Sequence, residues 1–192
     1  MGKALEQPRF DRAAFLDWEA AQDGKNEYVA GEVFAMVGAR QQHVVVAGSL
    51  YARFREHLKG TRCRAYVSDM KLEVAAADAV FYPDVMVSCD EADRRAELAL
   101  QAPCLVVEVL SDSTAATDRG AKFAAYRQLP SLQDYLLVDI DARRLELFGR
   151  EAGGWLLHES TPAQPSVQLR SIALTLTVGE AFGDLDEVAG QG

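Results

Sequence analysis

Ala102-Pro103-Cys104-Leu105-Val106-Val107-Glu108-Val109-Leu110-Ser111-Asp112-Ser113-Thr114 is the stretch on which the fold turns. From Cys104 to Leu110 nearly every position is apolar, the pattern of a strand buried on both faces. Ser111 to Thr114 supply turn and capping side chains, so a helix is expected over roughly Thr117 to Leu129, stopped by Pro130. Tyr135 to Ile140 is a second buried strand beyond that helix. Strand, crossing helix and strand place the chain in the α/β class, with a mixed β-sheet flanked by helices. The one charge inside the first strand is Glu108.

Upstream, Asp11 can cap a helix over Arg12 to Ala21, and Glu27-Tyr28-Val29, Ala30-Gly31 and Glu32 to Val37 read as a hairpin. From about Arg40 to Leu58, Val44, Ala47, Tyr51, Phe54 and Leu58 recur at helical spacing, and Gly60 is placed to end that helix. Strand-like segments follow at Arg62 to Val67, Met70 to Ala75 and Phe81 to Cys89. Asp90 to Ala102 reads as a loop or one or two helical turns. Arg144 to Gly149, Trp155 to Glu159 and Ile172 to Thr177 are late strands, and residues 185–192, like 1–10, are expected to be loose. There are no repeats and no interdomain linker, so residues 1–192 are expected to form one domain.

A second buried charge lies in Tyr82-Pro83-Asp84-Val85-Met86-Val87. A carboxylate in apolar surroundings is costly unless something pairs with it. Side chains alternate along a strand, so Asp84 shares a face with Met86 and Ser88, and Glu108 with Cys104, Val106 and Leu110. If the two strands are neighbours, Asp84 and Glu108 meet at one point on the sheet. Oxygen ligands of this kind suit Mg²⁺ or Mn²⁺, and the backbone carbonyl of Val109 could add another. Such an ion would orient a water and neutralise charge on a phosphate. Lys122 follows Asp118 by one helical turn, with Tyr126 a turn further on, and could hold that water or offset transition-state charge. Taken singly, the bland readings are a turn-capping Asp84, a wet-face Glu108 and a solvated Lys122.

The 192-residue chain is 49% hydrophobic and 26% charged, ordinary globular values. No signal peptide or membrane-spanning run is evident, and a cytoplasmic protein is expected. The formal net charge of -9 and pI near 4.8 argue against a protein that coats nucleic acid by general electrostatics. A local basic stripe can matter more than the total. Arg53, Arg55, Lys59, Arg62 and Arg64, with Tyr51 beside them, form the densest such cluster, either a DNA path or a solvated face. Cys63, Cys89 and Cys104 have no zinc-ligand spacing and predict no disulfide framework; Cys89 and Cys104 read as small buried hydrophobes.

Those two segments together resemble the Uma-type restriction endonuclease family. The resemblance continues through Asp118-Arg119-Gly120-Ala121-Lys122-Phe123-Ala124-Ala125-Tyr126, Asp134-Tyr135-Leu136-Leu137-Val138-Asp139, the hairpin at Glu27-Tyr28-Val29-Ala30-Gly31-Glu32, and His43. It covers most of the chain, and its ordered combination is specific although no single piece is. It implies membership of the PD-(D/E)XK nuclease superfamily, with a restriction-endonuclease-like core and metal-dependent phosphodiester hydrolysis. By position, Asp84 and Glu108 would be the metal ligands. The superfamily's usual lysine lies two residues after the glutamate, where this chain has Leu110; the family takes it from the following helix, which points to Lys122. Asp112 stands where the family usually has proline, Ala30 where it often has aspartate, and Leu136 where an aromatic is common.

Glu32 and His43 are accessory candidates, chiefly through the resemblance. Glu32 could approach the metal from the hairpin, and His43 could contact phosphate or a ligand water; otherwise they are a solvated carboxylate and a helix-start histidine. Three functions compete. The first is a Mg²⁺-dependent endonuclease, a hydrolase acting on DNA, for which a homodimer would suit the cutting of two strands. The second is a catalytically silent nuclease-fold domain that binds nucleic acid or protein. The third is an acidic structural or regulatory protein whose carboxylates form salt bridges.

Overall fold

The computed structural model describes residues 11–36 and 38–187. Its elements in chain order are α1 (Arg12–Glu19), β1 (Asn26–Val29), β2 (Glu32–Ala35), α2 (Gln41–His57), β3 (Arg64–Val67), β4 (Lys71–Val74), β5 (Ala79–Phe81), β6 (Val85–Ser88), β7 (Ala99–Leu100) and β8 (Pro103–Val109). There follow α3 (Ala115–Thr117), a π-helical turn over Asp118–Lys122, α4 (Phe123–Tyr126), β9 (Asp134–Asp139), β10 (Arg144–Glu151), β11 (Gly154–Glu159), β12 (Ser166–Leu169), β13 (Leu174–Thr177) and α5 (Val178–Glu187).

Six strands form the central sheet in the order β11-β10-β9-β8-β6-β3, and five form a second sheet, β2-β1-β5-β4-β7; β12 and β13 pair separately. β8 and β9 run parallel, joined by the helical crossover, while the other pairs of the central sheet are antiparallel. As its sequence predicts, β8 is buried on both faces. Leu105, Val107 and Val109 pack with Val46, Leu50 and Phe54 of α2 and Phe182 of α5. Val106 and Leu110 pack with Met86, Leu137, Tyr126 and the second sheet's Leu72, Val74 and Phe81. A third cluster closes α1 over the hairpin through Phe15, Tyr28, Val33 and Val80.

Several expectations are corrected. Phe81 to Cys89 is two strands, because Pro83 lacks an amide donor at the crossing point. β5 belongs to one sheet and β6 to the other, so Asp84 lies just before a strand rather than within one. The crossing helix starts at Ala115 and contains the π turn. Asp90 to Ala102 holds a short 3₁₀ turn, Asp93–Arg95, and β7. Leu185 to Glu187, expected to be loose, belong to α5, and Leu185 packs against the core. Residues 1–10 and 188–192 lie outside the described residues.

The cysteines also differ from expectation. Register Arg64↔Ser88 between β3 and β6, continued one step, sets Cys63 opposite Cys89, and the two form a disulfide. Spacing in sequence hides this pairing, since 26 positions separate them and only strand register brings them together. Among the described residues no helix is long and apolar enough to cross a membrane.

Candidate active site

β6 and β8 pair as Met86↔Val106 and Val85↔Val107, so one further step sets Asp84 opposite Glu108. The sheet therefore brings together the two carboxylates that stand out in the sequence. Asp84 Oδ2 accepts a 2.8 Å hydrogen bond from the Val109 amide and lies 3.2 Å from His43 Nε2 in the first turn of α2. Glu108 Oε1 accepts from the Tyr126 hydroxyl at 2.8 Å and from Lys122 Nζ at 3.2 Å.

Lys122 is the hub. Its ammonium lies 3.2 Å from Glu27 Oε1 and 3.4 Å from Asp118 Oδ1, besides Glu108. The π turn presents Asp118 and Lys122 side by side, and the Tyr135 hydroxyl anchors it by donating to the Asp118 carbonyl at 2.9 Å. Such turns carry an extra residue in the helical ring and recur at functional sites. Leu110, where the superfamily's usual lysine would stand, is buried among apolar side chains.

Four buried or half-buried carboxylates, Glu27, Asp84, Glu108 and Asp118, thus face one lysine and one histidine. Burial holds Glu108 well above the usual carboxylate range; Asp118, Asp84 and Glu27 push the same way and Lys122 opposes them. Asp118 is raised too, again chiefly by burial. Burial by itself would lower the pKa of Lys122, but Glu108, Glu27, Asp118 and Asp84 outweigh it and keep the ammonium charged. His43 behaves likewise: burial acts downward, and its hydrogen bond to Asp84, the Asp84 charge and a backbone hydrogen bond with Val109 raise it overall.

Asp84, Glu108, Asp118, Lys122 and His43 line a cleft of about 290 Å³ together with Tyr82, and Arg40 pairs with Asp112 at 3.2 Å on its wall. The donor set suits a divalent cation. Among the described residues, Asp84 Oδ1 and Glu108 Oε2 carry no hydrogen bond, each residue being held through its other oxygen. Asp118 Oδ1, fully buried, meets only the Lys122 ammonium. No three His, Cys, Asp or Glu side chains among the described residues are grouped closely enough to hold an ion by themselves. An ion here would take oxygens from the two carboxylates and fill its remaining positions from water and substrate, as Mg²⁺ commonly does.

Of the other expected site residues, His43, Asp118 and Tyr126 reach the cluster. Val109 contributes its amide to Asp84 rather than a carbonyl to a metal. Glu32 does not reach the cluster. It sits exposed beside the hairpin turn, while Glu27, at the other end of the same face, joins the cluster through the Lys122 ammonium. Glu27 could have been found by the signal that marks Asp84 and Glu108, a carboxylate in an apolar strand.

The basic cluster lies elsewhere. Arg55 is twelve residues beyond His43 on α2, about 18 Å along the axis. Arg53 pairs with Glu180 and Lys59 with Glu56, while Arg64 pairs across the end of β6 remote from Asp84. None of the five lines the cleft.

The comparisons with known proteins bear on the family and the fold. A family model described as "Uma2: Putative restriction endonuclease" matches residues 12–179. The "Uncharacterized protein slr1290" of Synechocystis sp. (strain ATCC 27184 / PCC 6803 / Kazusa) is 39% identical over 179 residues, 93% of this chain and 94% of the relative. The "Uncharacterized protein sll1609" of the same organism is 35% identical over 150 residues, 77% of this chain and 85% of the relative. Among solved structures, that of a "putative nuclease belonging to DUF820 from Anabaena variabilis ATCC 29413" superposes with a TM-score of 0.75 at 17% identity, covering 91% of this chain and 98% of the other. At that identity the likeness is one of fold, which is therefore nuclease-like. With the family match running from α1 into α5, the chain belongs to the Uma2 family.

Proposed function

We propose that the chain is a metal-dependent endonuclease that hydrolyses phosphodiester bonds of DNA. The observation that carries this reading is the Asp84 and Glu108 pair, each held through one oxygen with the other free, beside the buried ammonium of Lys122. Family membership supports the reaction class, and the fold likeness supports the scaffold. Bound Mg²⁺ or Mn²⁺ would polarise the phosphate and lower the pKa of an attacking water.

The chain's own residues do the rest. Asp84 and Glu108 supply anionic oxygens to the ion. His43 and the Val109 amide fix the Asp84 carboxylate, and Tyr126 fixes that of Glu108. Lys122 offers its protons to the water or to the oxygens on which transition-state charge grows. Glu27 and Asp118 hold that ammonium in place from behind. Two copies would give the two centres a double-strand cut requires.

The test is conversion of supercoiled plasmid with Mg²⁺, with Mn²⁺ and with chelator. Cleavage is expected only with metal, and it should vanish in Asp84→Asn, Glu108→Gln and Lys122→Met proteins that melt cooperatively. The net charge of -9 favours a second reading, a silent nuclease-fold domain that binds a partner. Calorimetric titration with Mn²⁺ separates the two, since heat that disappears in Glu108→Gln belongs only to the first. Metal-independent cutting, or no cutting with no metal uptake, would remove the nuclease reading.

A further inference from the structure

We propose that Lys25, Lys71 and Tyr82 form a phosphate-binding shelf beside the cleft, which takes the backbone of the nucleic-acid strand next to the bond being cut. This rests on the nuclease reading above.

Lys71 opens β4. Register Leu72↔Phe81, continued one residue, sets it opposite Tyr82. It is only 9% exposed, yet among the described residues it has no hydrogen bond and no carboxylate partner. The comparably buried Lys122 meets three carboxylates, and buried Glu146 lies against two arginines. What Lys71 has is the Tyr82 ring, 5.4 Å from its ammonium to the ring centroid. The stem of Lys71 is packed away while its ammonium, held over the ring, has no anionic partner, and an incoming anion would supply one.

Lys25 stands over the same ring at 5.8 Å. Its anionic partner is Asp69, whose side chain is 84% exposed. Exposed ion pairs of this kind contribute little and exchange readily for another anion.

Tyr82 ties the two lysines to the reaction centre. It lines the cleft, and its hydroxyl is fixed by donating to Glu19 at 2.8 Å, so the ring is a rigid floor. Asp84 follows it by two residues, at most about 7 Å of extended chain. That is the scale of one step between neighbouring phosphates, whose path winds around the axis and so exceeds the axial rise of about 3.4 Å. A strand whose scissile phosphate sits at Asp84 and Glu108 therefore brings a neighbouring phosphate to Lys25 and Lys71.

Electrostatics require something of this sort. The cleft is lined by carboxylates, so a polyanion needs cations at its edge to approach. Arg40, paired with Asp112 on the wall, is one cation against several carboxylates; the Arg53 to Arg64 cluster is too remote to serve, and Lys122 is already shared among Glu27, Glu108 and Asp118.

The test is equilibrium binding of a short labelled DNA duplex in chelator, repeated across a salt series. Lys25→Gln/Lys71→Gln should bind about tenfold more weakly and lower the slope of log K against log salt by about 1–2. Arg55→Gln/Lys59→Gln should leave both unchanged, and Lys71→Arg should retain wild-type binding. Lys25→Gln alone, at a surface position, should lower the slope by about 1, whatever Lys71 variants do to folding. If wild type binds and cuts the duplex and the Lys25→Gln and double variants keep its slope, the shelf is overturned and the nuclease reading stands. If wild type binds no duplex in chelator, the shelf falls, and the plasmid test decides the nuclease reading separately.

Discussion

The two ends of strands β6 and β8 bury polar groups in opposite ways. At one end Asp93 is 4% exposed and accepts from the Ser88 hydroxyl at 2.7 Å and from the Gln101 and Ala102 amides at 2.9 and 3.1 Å. The donors are neutral and fix the chain entering β8. Beside it are the Cys63–Cys89 disulfide and Cys104, whose sulfur is 3.7 Å from that of Cys89. At the other end Glu108 is 3% exposed, but its neighbours are Asp84, Asp118 and Glu27, with one lysine among them. A buried carboxylate surrounded by neutral donors holds structure together. One crowded by like charges leaves an unfavourable field that an added cation relieves.

Substitutions at the two ends should separate activity from stability. The largest effect expected is on cleavage: Glu108→Gln should lose at least about 10²–10³-fold in plasmid nicking rate, while Asp93→Asn leaves the rate close to wild type. A large rate loss in Asp93→Asn would erase the distinction. Glu27→Gln should reduce the rate by about 10–100-fold, as for residues that orient a metal's ligands. Glu32→Gln, at the exposed turn, should change nothing measurable.

In urea unfolding the order reverses. Asp93→Ala should lose about 3 kcal/mol, because it leaves buried donors unsatisfied. Metal-free Glu108→Gln should lose clearly less than that, since Lys122 keeps Glu27 and Asp118 as partners and one acidic group leaves a crowded anionic site. Equal destabilisation of both variants would mean that the carboxylate cluster is structural. Reducing the disulfide should cost about 3 kcal/mol through its loop without altering the nicking rate.

The smallest effect is chemical. Burial pushes the Cys104 thiol up to about 11. Since the thiolate is the reactive form, alkylation of Cys104 in the oxidised protein should be slow near neutral pH and accelerate as pH climbs toward that value. Fast neutral-pH labelling, followed by mass spectrometry, would place Cys104 in a more open setting than its packing indicates.

Much of the candidate site was legible one residue at a time. Asp84 and Glu108 announced themselves because a carboxylate in an apolar strand contradicts its surroundings, and Lys122 because Leu110 left the usual lysine position apolar. Glu27 carried the same signal in Tyr28-Val29 company, but position after the hairpin turn drew attention to Glu32. Burial separates the two, and burial of a short hairpin depends on what packs over it. The basic run from Arg53 to Arg64 was conspicuous in sequence yet lies away from the cleft, because a helix carries its later turns away from its first. Lys25 and Lys71, isolated in sequence, were invisible.

The sequence alone determined the α/β class, the doubly buried β8 and the long helix α2, and it marked Asp84 and Glu108 as candidates, since these follow from local periodicity and from the cost of burying charge. Only tertiary structure decided the break at Pro83 that assigns β5 and β6 to different sheets, the register that sets Asp84 opposite Glu108 and Cys63 opposite Cys89, and the choice of Glu27 over Glu32. Strand register and sheet membership are set by contacts between segments distant in the chain. No window of neighbouring residues contains that information.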